Sequence, residues 1–356
     1  MGDILHALPA VTALRMAHPE WVIDWVVEPQ WRVLLAAEGS RGRVSGVRPG
    51  QSRTKDPLNN QPLVDRLHFA ATKKWRKAPL KLQTLHEILS LRKALRSCEY
   101  DAVIDLQGAV RSAVVGRMAG CRRLIGEAEP REQAAAWLFS QTVRTRGAHV
   151  IEQDLEVASA IAGDELEPVR PWLPVDQVAE AWADTILPPT SRQPVVLINP
   201  GAGWGAKRWP VDRYAVVAQG LAERGLRVLV NAGPGEEALA QAVVEQSGCA
   251  AIQAFCSLAQ LIALTRRIAL GIAGDTGPLH LACALGRPVV GIYGPTDPSR
   301  NGPFGSRFRV LRSPESRRDH TRRAEPEAGL LTIAPEAVLQ AALELLYPET
   351  AAEISL

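Results

Sequence analysis

At 356 residues, with about 150 residues in a typical domain, the chain predicts two domains, and its 46% of apolar residues suffice for a core in each. That excludes a disordered or fibrous chain. No apolar run approaches the ~18 residues of a spanning helix and no basic, apolar leader opens the sequence, so a cytoplasmic protein is expected. The net charge of +3 hides an asymmetry: residues 1–150 hold 23 Lys+Arg against 14 Asp+Glu, net +9, and residues 151–356 hold 18 against 24, net −6.

The chain opens on MGDILHALPA, read as a loop, followed by a helix over Pro9–Ala17. A doubly wound domain should open on a strand, so a strand is expected to be missing, and a start placed downstream of it is the preferred explanation. The β-branched runs WVIDWVV (Trp21–Val27) and DAVIDL (Asp101–Leu106) predict strands, with a weaker one near Arg122–Gly126. Helical spacing predicts helices over Leu82–Ser97, Ala109–Ala119 and Arg131–Thr142. Basic residues are densest from Arg41 to Arg96, with Lys73, Lys74, Arg76 and Lys77 around Trp75, a setting for an anionic ligand or membrane surface. Four Tyr and five Phe offer little stacking surface, and nucleic acid is not expected as a partner.

The proline-rich stretch from Glu167 to Pro194 predicts a linker around a short helix-like segment, Val175–Ile186. Beyond it, Val195–Asn199, Arg227–Gly233, AAIQAF, Arg267–Gly274 and Pro288–Gly294 read as buried strands. They alternate with helices over Val211–Arg224, Glu236–Gln246, Leu258–Arg266 and Pro278–Leu285. This βα alternation predicts parallel sheets. The domains are expected at 1–170, a linker at 171–194, a second domain at 195–334 and a final helical segment at 335–356 that closes this domain or crosses back to the first. Pro49–Pro62 and Ser313–Ala328 read as loops. The cysteines Cys98, Cys121, Cys249, Cys256 and Cys283 lack zinc spacing and are expected to be reduced, with no metal.

Three strings carry the chemistry. In GIAGDTGPLHLACALGRPVVGIYGPTDP, a strand ends at Gly274, Asp275 and Thr276 fall where a helix cap is expected, Gly277 lets a ligand approach the backbone, and Pro278 opens the helix. Such a helix start offers amides and the positive dipole end to a phosphate, with His280 one turn in. In NPGAGWGAKRWP, Gly201, Gly203 and Gly205 make an anion-friendly loop and Lys207 supplies charge; the spacing fits neither a dinucleotide fingerprint nor a Walker loop. After the strand RVLVNAG, Glu236 and Glu237 place a carboxylate where ribose hydroxyls are commonly bound. Phosphate amides, a lysine and a carboxylate together suit a sugar nucleotide. In the first half, Asp3 and Asp105 stand near helix starts, where an aspartate either caps or serves an acceptor hydroxyl as general base.

MGDILHALPAVTALR, WVIDWVVE, YDAVIDLQGAVRSA, LINPGAGWGAKRWP and DTGPLHLACALGRPVVGIYGPTDP, taken in order, resemble the lipopolysaccharide heptosyltransferases, the ADP-heptose family of inverting glycosyltransferases. The likeness runs from residue 1 to about residue 345, closest to type I in WRKAP after Lys74. The resemblance implies a GT-B fold, two Rossmann-like doubly wound α/β domains facing a central cleft. It implies metal-independent transfer of heptose, without cofactor, from ADP-heptose to Kdo of lipid A, with peripheral contact at the cytoplasmic face of the inner membrane. By the same resemblance Asp3 is the catalytic base, Lys207 contacts donor phosphate, Glu237 lies near the adenosine ribose, and Asp275 binds heptose hydroxyls. Thr276 and Gly277 supply phosphate-binding amides, and His280 neighbours them. Lys74, Arg76, Arg111 and Arg131 are the acceptor-side candidates. The sequence departs from the family pattern in lacking the opening strand and in reading EPRE where REP is usual. Another GT-B sugar-nucleotide transferase or epimerase, or a non-catalytic nucleotide-sugar binding protein, is the alternative.

Overall fold

The computed structural model describes residues 1–37, 62–318 and 323–348. Residues 38–61, 319–322 and 349–356 lie outside it, and with them the expected loop up to residue 61, the basic stretch from Arg41 to that point, and part of the Ser313–Ala328 loop. The chain divides into two compact units, the boundary falling between Pro174 and Val175.

The first unit opens with α1 (Gly2–Ala17), so the segment expected as a loop is helical. Asp3 in its first turn and Arg15 in its last complement the helix dipole. Eleven successive residues, Leu5–Arg15, are buried, enough apolar contact to carry Pro9 inside the helix despite the backbone bond it removes. Buried Arg15 pairs with Asp65 at 2.6 Å, and Asp65 also accepts from the Ile23 amide, fixing α1 to the strands that follow. β1 (Asp24–Val27) pairs in parallel with β2 (Arg66–Phe69), an element the sequence reading missed. After α2 (Thr72–Lys77) and α3 (Leu82–Arg96), β3 (Val103–Asp105) leads into α4 (Val110–Met118). β4 (Leu124–Glu127) and β5 (Gln141–Val143) complete a parallel sheet in the order β3-β4-β5.

The helix expected over Arg131–Thr142 is instead a short 3-10 helix, Gln133–Leu138, followed by β5. Phe139 explains the break: its ring lies so close over Gly126 that a Cβ there would sit 2.3 Å from it, so the chain must extend across β4. A further helix, α5 (Val150–Ala162), is capped by His149 and closes on Gly163 in the left-handed region. β1 and β3 belong to separate sheets among the described residues, and a cavity of about 420 Å³ lies between them, lined also by α1 and α4. No strand precedes α1 among the described residues.

The second unit is one six-stranded parallel sheet. Its chain order is α6 (Gln177–Ile186), β6 (Val195–Asn199), α7 (Val211–Ala222), β7 (Arg227–Val230), α8 (Glu237–Gln246), β8 (Ala251–Gln253) and α9 (Leu258–Thr265). Then follow β9 (Leu270–Gly274), α10 (Gly277–Ala284), β10 (Val289–Tyr293), α11 (Pro298–Asn301), β11 (Phe308–Arg312) and α12 (Pro335–Leu346). The spatial order β11-β10-β9-β6-β7-β8 reverses between β6 and β9. That reversal is the switch point at which open α/β sheets bind ligands. β6, β9 and β10 are buried along their whole length, as central parallel strands covered on both faces must be. Ala179 and Ala183 of α6 pack on Ala259 and Ala263 of α9, and Arg267 ties the pair through Glu180 and Asp184. Val338, Ala341, Ala342 and Leu345 of α12 join the core of this unit.

Candidate functional site

In the second unit, Lys207 and Asp275 arrive from the loops that follow β6 and β9, neighbours in parallel register with Asn199 beside Ala273. Both therefore stand at the carboxyl edge of the sheet, on either side of the switch point. The Lys207 ammonium donates to one oxygen of Asp275, and His280, one turn into α10, lies 3.2 Å from the other. The three side chains are nearly buried, at 11%, 11% and 6% exposed. Burial alone would push the Asp275 carboxyl up; the hydrogen bond from His280 and the charge of Lys207 outweigh it and hold the group well below the usual carboxylate range. The indole of Trp204, 4.3 Å from the Lys207 ammonium, stacks under the cation.

The expected cap at Asp275 is corrected by this geometry, since its carboxylate serves Lys207 and His280. Thr276 is the N-cap residue, with its hydroxyl donating to the Gly274 carbonyl. Gly277 opens α10 and Pro278 follows in second place. First-turn amides have no partner within a helix, so the start of α10 presents N–H groups and positive potential beside the Lys207 and Asp275 pair.

The glycine loop is held by contacts the sequence did not reveal. Glu236, last residue before α8, accepts from the Ala202 amide at 3.0 Å and from Arg208 at 3.2 Å, joining the β6 and β7 loops. Glu237 is exposed, and its carboxylate accepts from the Gly235 amide, which with its own backbone N–H lowers its pKa. Asn231 donates to Asn199 at 3.0 Å, a buried pair that fixes the ends of β6 and β7. Gly205 packs against a backbone: a Cβ there would lie 1.5 Å from the Ala324 carbonyl oxygen. Gly205→Ala is expected to destabilise the protein by about 1–3 kcal/mol or more, read by urea unfolding.

In the first unit, Asp3 is half exposed on α1 and lines the cavity between β1 and β3. Its carboxylate accepts from the Gln107 side chain at 3.0 Å and lies 3.6 Å from Arg131. Gly108, at φ +62°, makes this possible, because a Cβ there would meet the Arg131 amide at 2.9 Å. Asp105 is not free to act as a base: it accepts from the amides of Gln107 and Gly108 and from the Ser112 hydroxyl, while burial raises its pKa. Arg111 lines the same cavity as Asp3, as does Lys73. Lys74 and Arg76 are not brought to it. Lys74 pairs with Glu87 at 2.7 Å, and Arg76 is exposed on α2. Gln107, two residues after Asp105, is not among the sequence candidates, and of the adjacent carboxylates Glu236 and Glu237 the structure brings Glu236 to the glycine loop.

Asp24, His68 and Cys98 are a group with metal-ligating atoms within 4.8 Å of one another. The Arg66 guanidinium lies 3.4 Å from Asp24 and donates to Cys98, and Tyr100 donates to the same Asp24 oxygen, so the carboxylate charge is already met by a cation.

A family model described as glycosyltransferase family 9 (heptosyltransferase) matches residues 88–330. Lipopolysaccharide heptosyltransferase 1 of Escherichia coli is 28% identical over 318 residues, 88% of this chain and 91% of its own length. The enzyme of the same description from Pseudomonas aeruginosa is 27% identical over 86% of this chain and 79% of its own. Among solved structures, the E. coli heptosyltransferase WaaC with ADP superposes with a TM-score of 0.74 at 25% identity, over 97% of this chain and 96% of that one. A family 9 glycosyl transferase from Veillonella parvula shares the fold, with a TM-score of 0.74 at 20% identity over 98% and 94%.

Proposed function

Because the chain belongs to glycosyltransferase family 9, the heptosyltransferases, we propose that it moves L-glycero-D-manno-heptose from ADP-heptose to a Kdo residue of the lipid A inner core, in the manner of the type I enzymes. It is a glycosyltransferase of lipopolysaccharide core assembly, built as two Rossmann-like α/β units of the GT-B fold. The Lys207–Asp275–His280 cluster at the switch point carries the finer reading.

A donor diphosphate set at the start of α10 meets first-turn amides and the Lys207 ammonium, which stabilise the charge that grows on the ADP leaving group. Asp275, ionised by its two partners, accepts hydrogen bonds from sugar hydroxyls through lone pairs that the lysine and histidine leave available. Glu237 is assigned to the ribose on the strength of the resemblance, with Glu236 holding the loop beside it. Asp3 is the base: as the acceptor hydroxyl attacks the anomeric carbon, the carbon–phosphate oxygen bond breaks, ADP departs with the electron pair, and the hydroxyl proton passes to Asp3. Arg131 and Arg111 serve the anionic acceptor, Gln107 orients Asp3, and the outlying Lys74 and Arg76 meet its phosphates or carboxylates at longer range. No metal or cofactor has a role in this scheme. The site of action is the cytoplasmic face of the inner membrane, reached by peripheral contact.

Calorimetry tests the donor assignment. ADP and ADP-heptose are expected to bind in the presence of a chelator while UDP- and GDP-sugars do not; equal affinity for a UDP-sugar, or loss of ADP binding to the chelator, contradicts it. Glu236→Ala is expected to raise the dissociation constant for ADP about tenfold by freeing the β6 loop, since its carboxylate holds both the Ala202 amide and Arg208; an unchanged constant removes Glu236 from the pocket's support.

A further inference from the structure

α3 buries Thr84, Leu91 and Leu95 against the first unit. At 100° per residue, Leu82, Leu85 and Leu89 fall within a 60° arc on another face. These three are 85%, 45% and 60% exposed, and Leu80 just before the helix is 89% exposed. A soluble helix normally turns polar residues outward, so a leucine stripe facing solvent calls for an occupant.

The surroundings of the stripe identify it. Residues 72–96 hold eight Lys or Arg and one acidic residue, Glu87. Glu87 is already engaged, accepting from the Lys74 ammonium at 2.7 Å and the Trp75 indole at 2.8 Å. Those bonds brace α2 against α3, so the cations of α2 and Lys81 are carried at the leucine end while Arg92, Lys93 and Arg96 continue along the outer face. Leucines within a border of cations match one environment in particular, the headgroup boundary of an anionic bilayer, where side chains of the first kind enter the acyl region and those of the second meet phosphates. No helix among the described residues is long and apolar enough to cross a membrane.

We propose that the solvent face of α3, with Leu80, Leu82, Leu85 and Leu89 at its centre, is a docking surface that lies in an anionic phospholipid monolayer. This deepens the reading of the protein as acting on a lipid acceptor and rests on it for its biological setting. The surface holds the first unit, with Asp3 and Arg131, at the bilayer from which the acceptor's sugars project, so that a lipid-borne substrate is met without leaving the membrane.

The test is flotation with vesicles of equal parts phosphatidylcholine and phosphatidylglycerol, without any sugar substrate, against vesicles of phosphatidylcholine alone. The full chain is expected to bind the anionic vesicles, to be released by salt, and to bind the neutral ones weakly. Leu82→Gln, Leu85→Gln and Leu89→Gln combined should weaken that binding by at least about 100-fold, since three partly inserted leucines are lost. The same variant should keep its melting temperature and its rate on a Kdo acceptor without acyl chains. Unaltered vesicle binding by the triple variant overturns the proposal. So does an absence of binding by the parent chain, or a leucine-dependent dimer in sedimentation with no affinity for lipid. If vesicle binding behaves as expected but neither protein transfers heptose to the soluble acceptor, the docking surface stands and the transferase reading fails.

Discussion

Asp3→Asn is expected to lower the rate of heptose transfer by about 10²–10⁴-fold while leaving ADP-heptose binding unchanged, the magnitude that a positioned general base contributes. The substitution keeps the size of the side chain and an oxygen to accept from Gln107, so it removes basicity and the pairing with Arg131 and little else. Measurement of kcat with saturating donor, beside calorimetry of ADP-heptose, separates the two possible roles. An acidic residue in a first helical turn that only complements the dipole is worth about 0.3–1 kcal/mol of stability. A variant slightly less stable and fully active would reduce Asp3 to that role.

Lys207→Ala should damage both folding and function. Lys207 and Asp275 are each 11% exposed, and removing one partner of a buried pair leaves an uncompensated charge, at a cost of about 3–5 kcal/mol. Transfer should fall by about 10²–10³-fold, as on removal of one preorganised group that stabilises developing negative charge. The double variant Lys207→Met with Asp275→Asn discriminates stability from chemistry. It should recover most of the lost stability, having no stranded charge, and none of the activity. Recovery of both would make the pair purely structural.

The same pair sets an acid dependence. The folded pKa of Asp275 is depressed, so its contribution to stability is present above the unfolded carboxylate value of about 3.9 and is lost as pH falls through the lower folded value. Acid unfolding should therefore begin at higher pH in Lys207→Ala than in the parent chain. Coincident acid transitions would show that the ammonium does not hold this carboxylate down.

The second unit was legible in the sequence because its central strands are covered on both faces. Such strands must be continuous apolar runs, and VVLIN coincides with β6, Val195–Asn199. β11 is harder to read because Phe308–Arg312 carries two arginines in five residues and is at most half-buried, as an edge strand can be. β2, reading RLHF, is also short and carries a charge. Gly2 and Pro9 punctuate the start of α1, so its local sequence resembles a loop. The burial that overrides them comes from long-range packing, which local patterns do not carry. For the site, residue types and loop order pointed to Lys207 and Asp275, since chemistry at the carboxyl edge follows from the βα alternation. Local order was silent on which carboxylate turns inward. Glu236 and Glu237 are adjacent, and only the approach of the Ala202 amide and Arg208 selects the first. For Lys74, in the basic stretch, local order was equally silent on its partner: Glu87, thirteen residues away, accepts from its ammonium.

The decisive measurement combines the purified chain with ADP-L-glycero-D-manno-heptose and Kdo-lipid A, a chelator present, and follows ADP release and acceptor mass together. The expected result is one heptose gained for each ADP released, at a rate that depends on the acceptor. ADP release that is indifferent to the acceptor, or transfer that begins only when a divalent cation is restored, would contradict it.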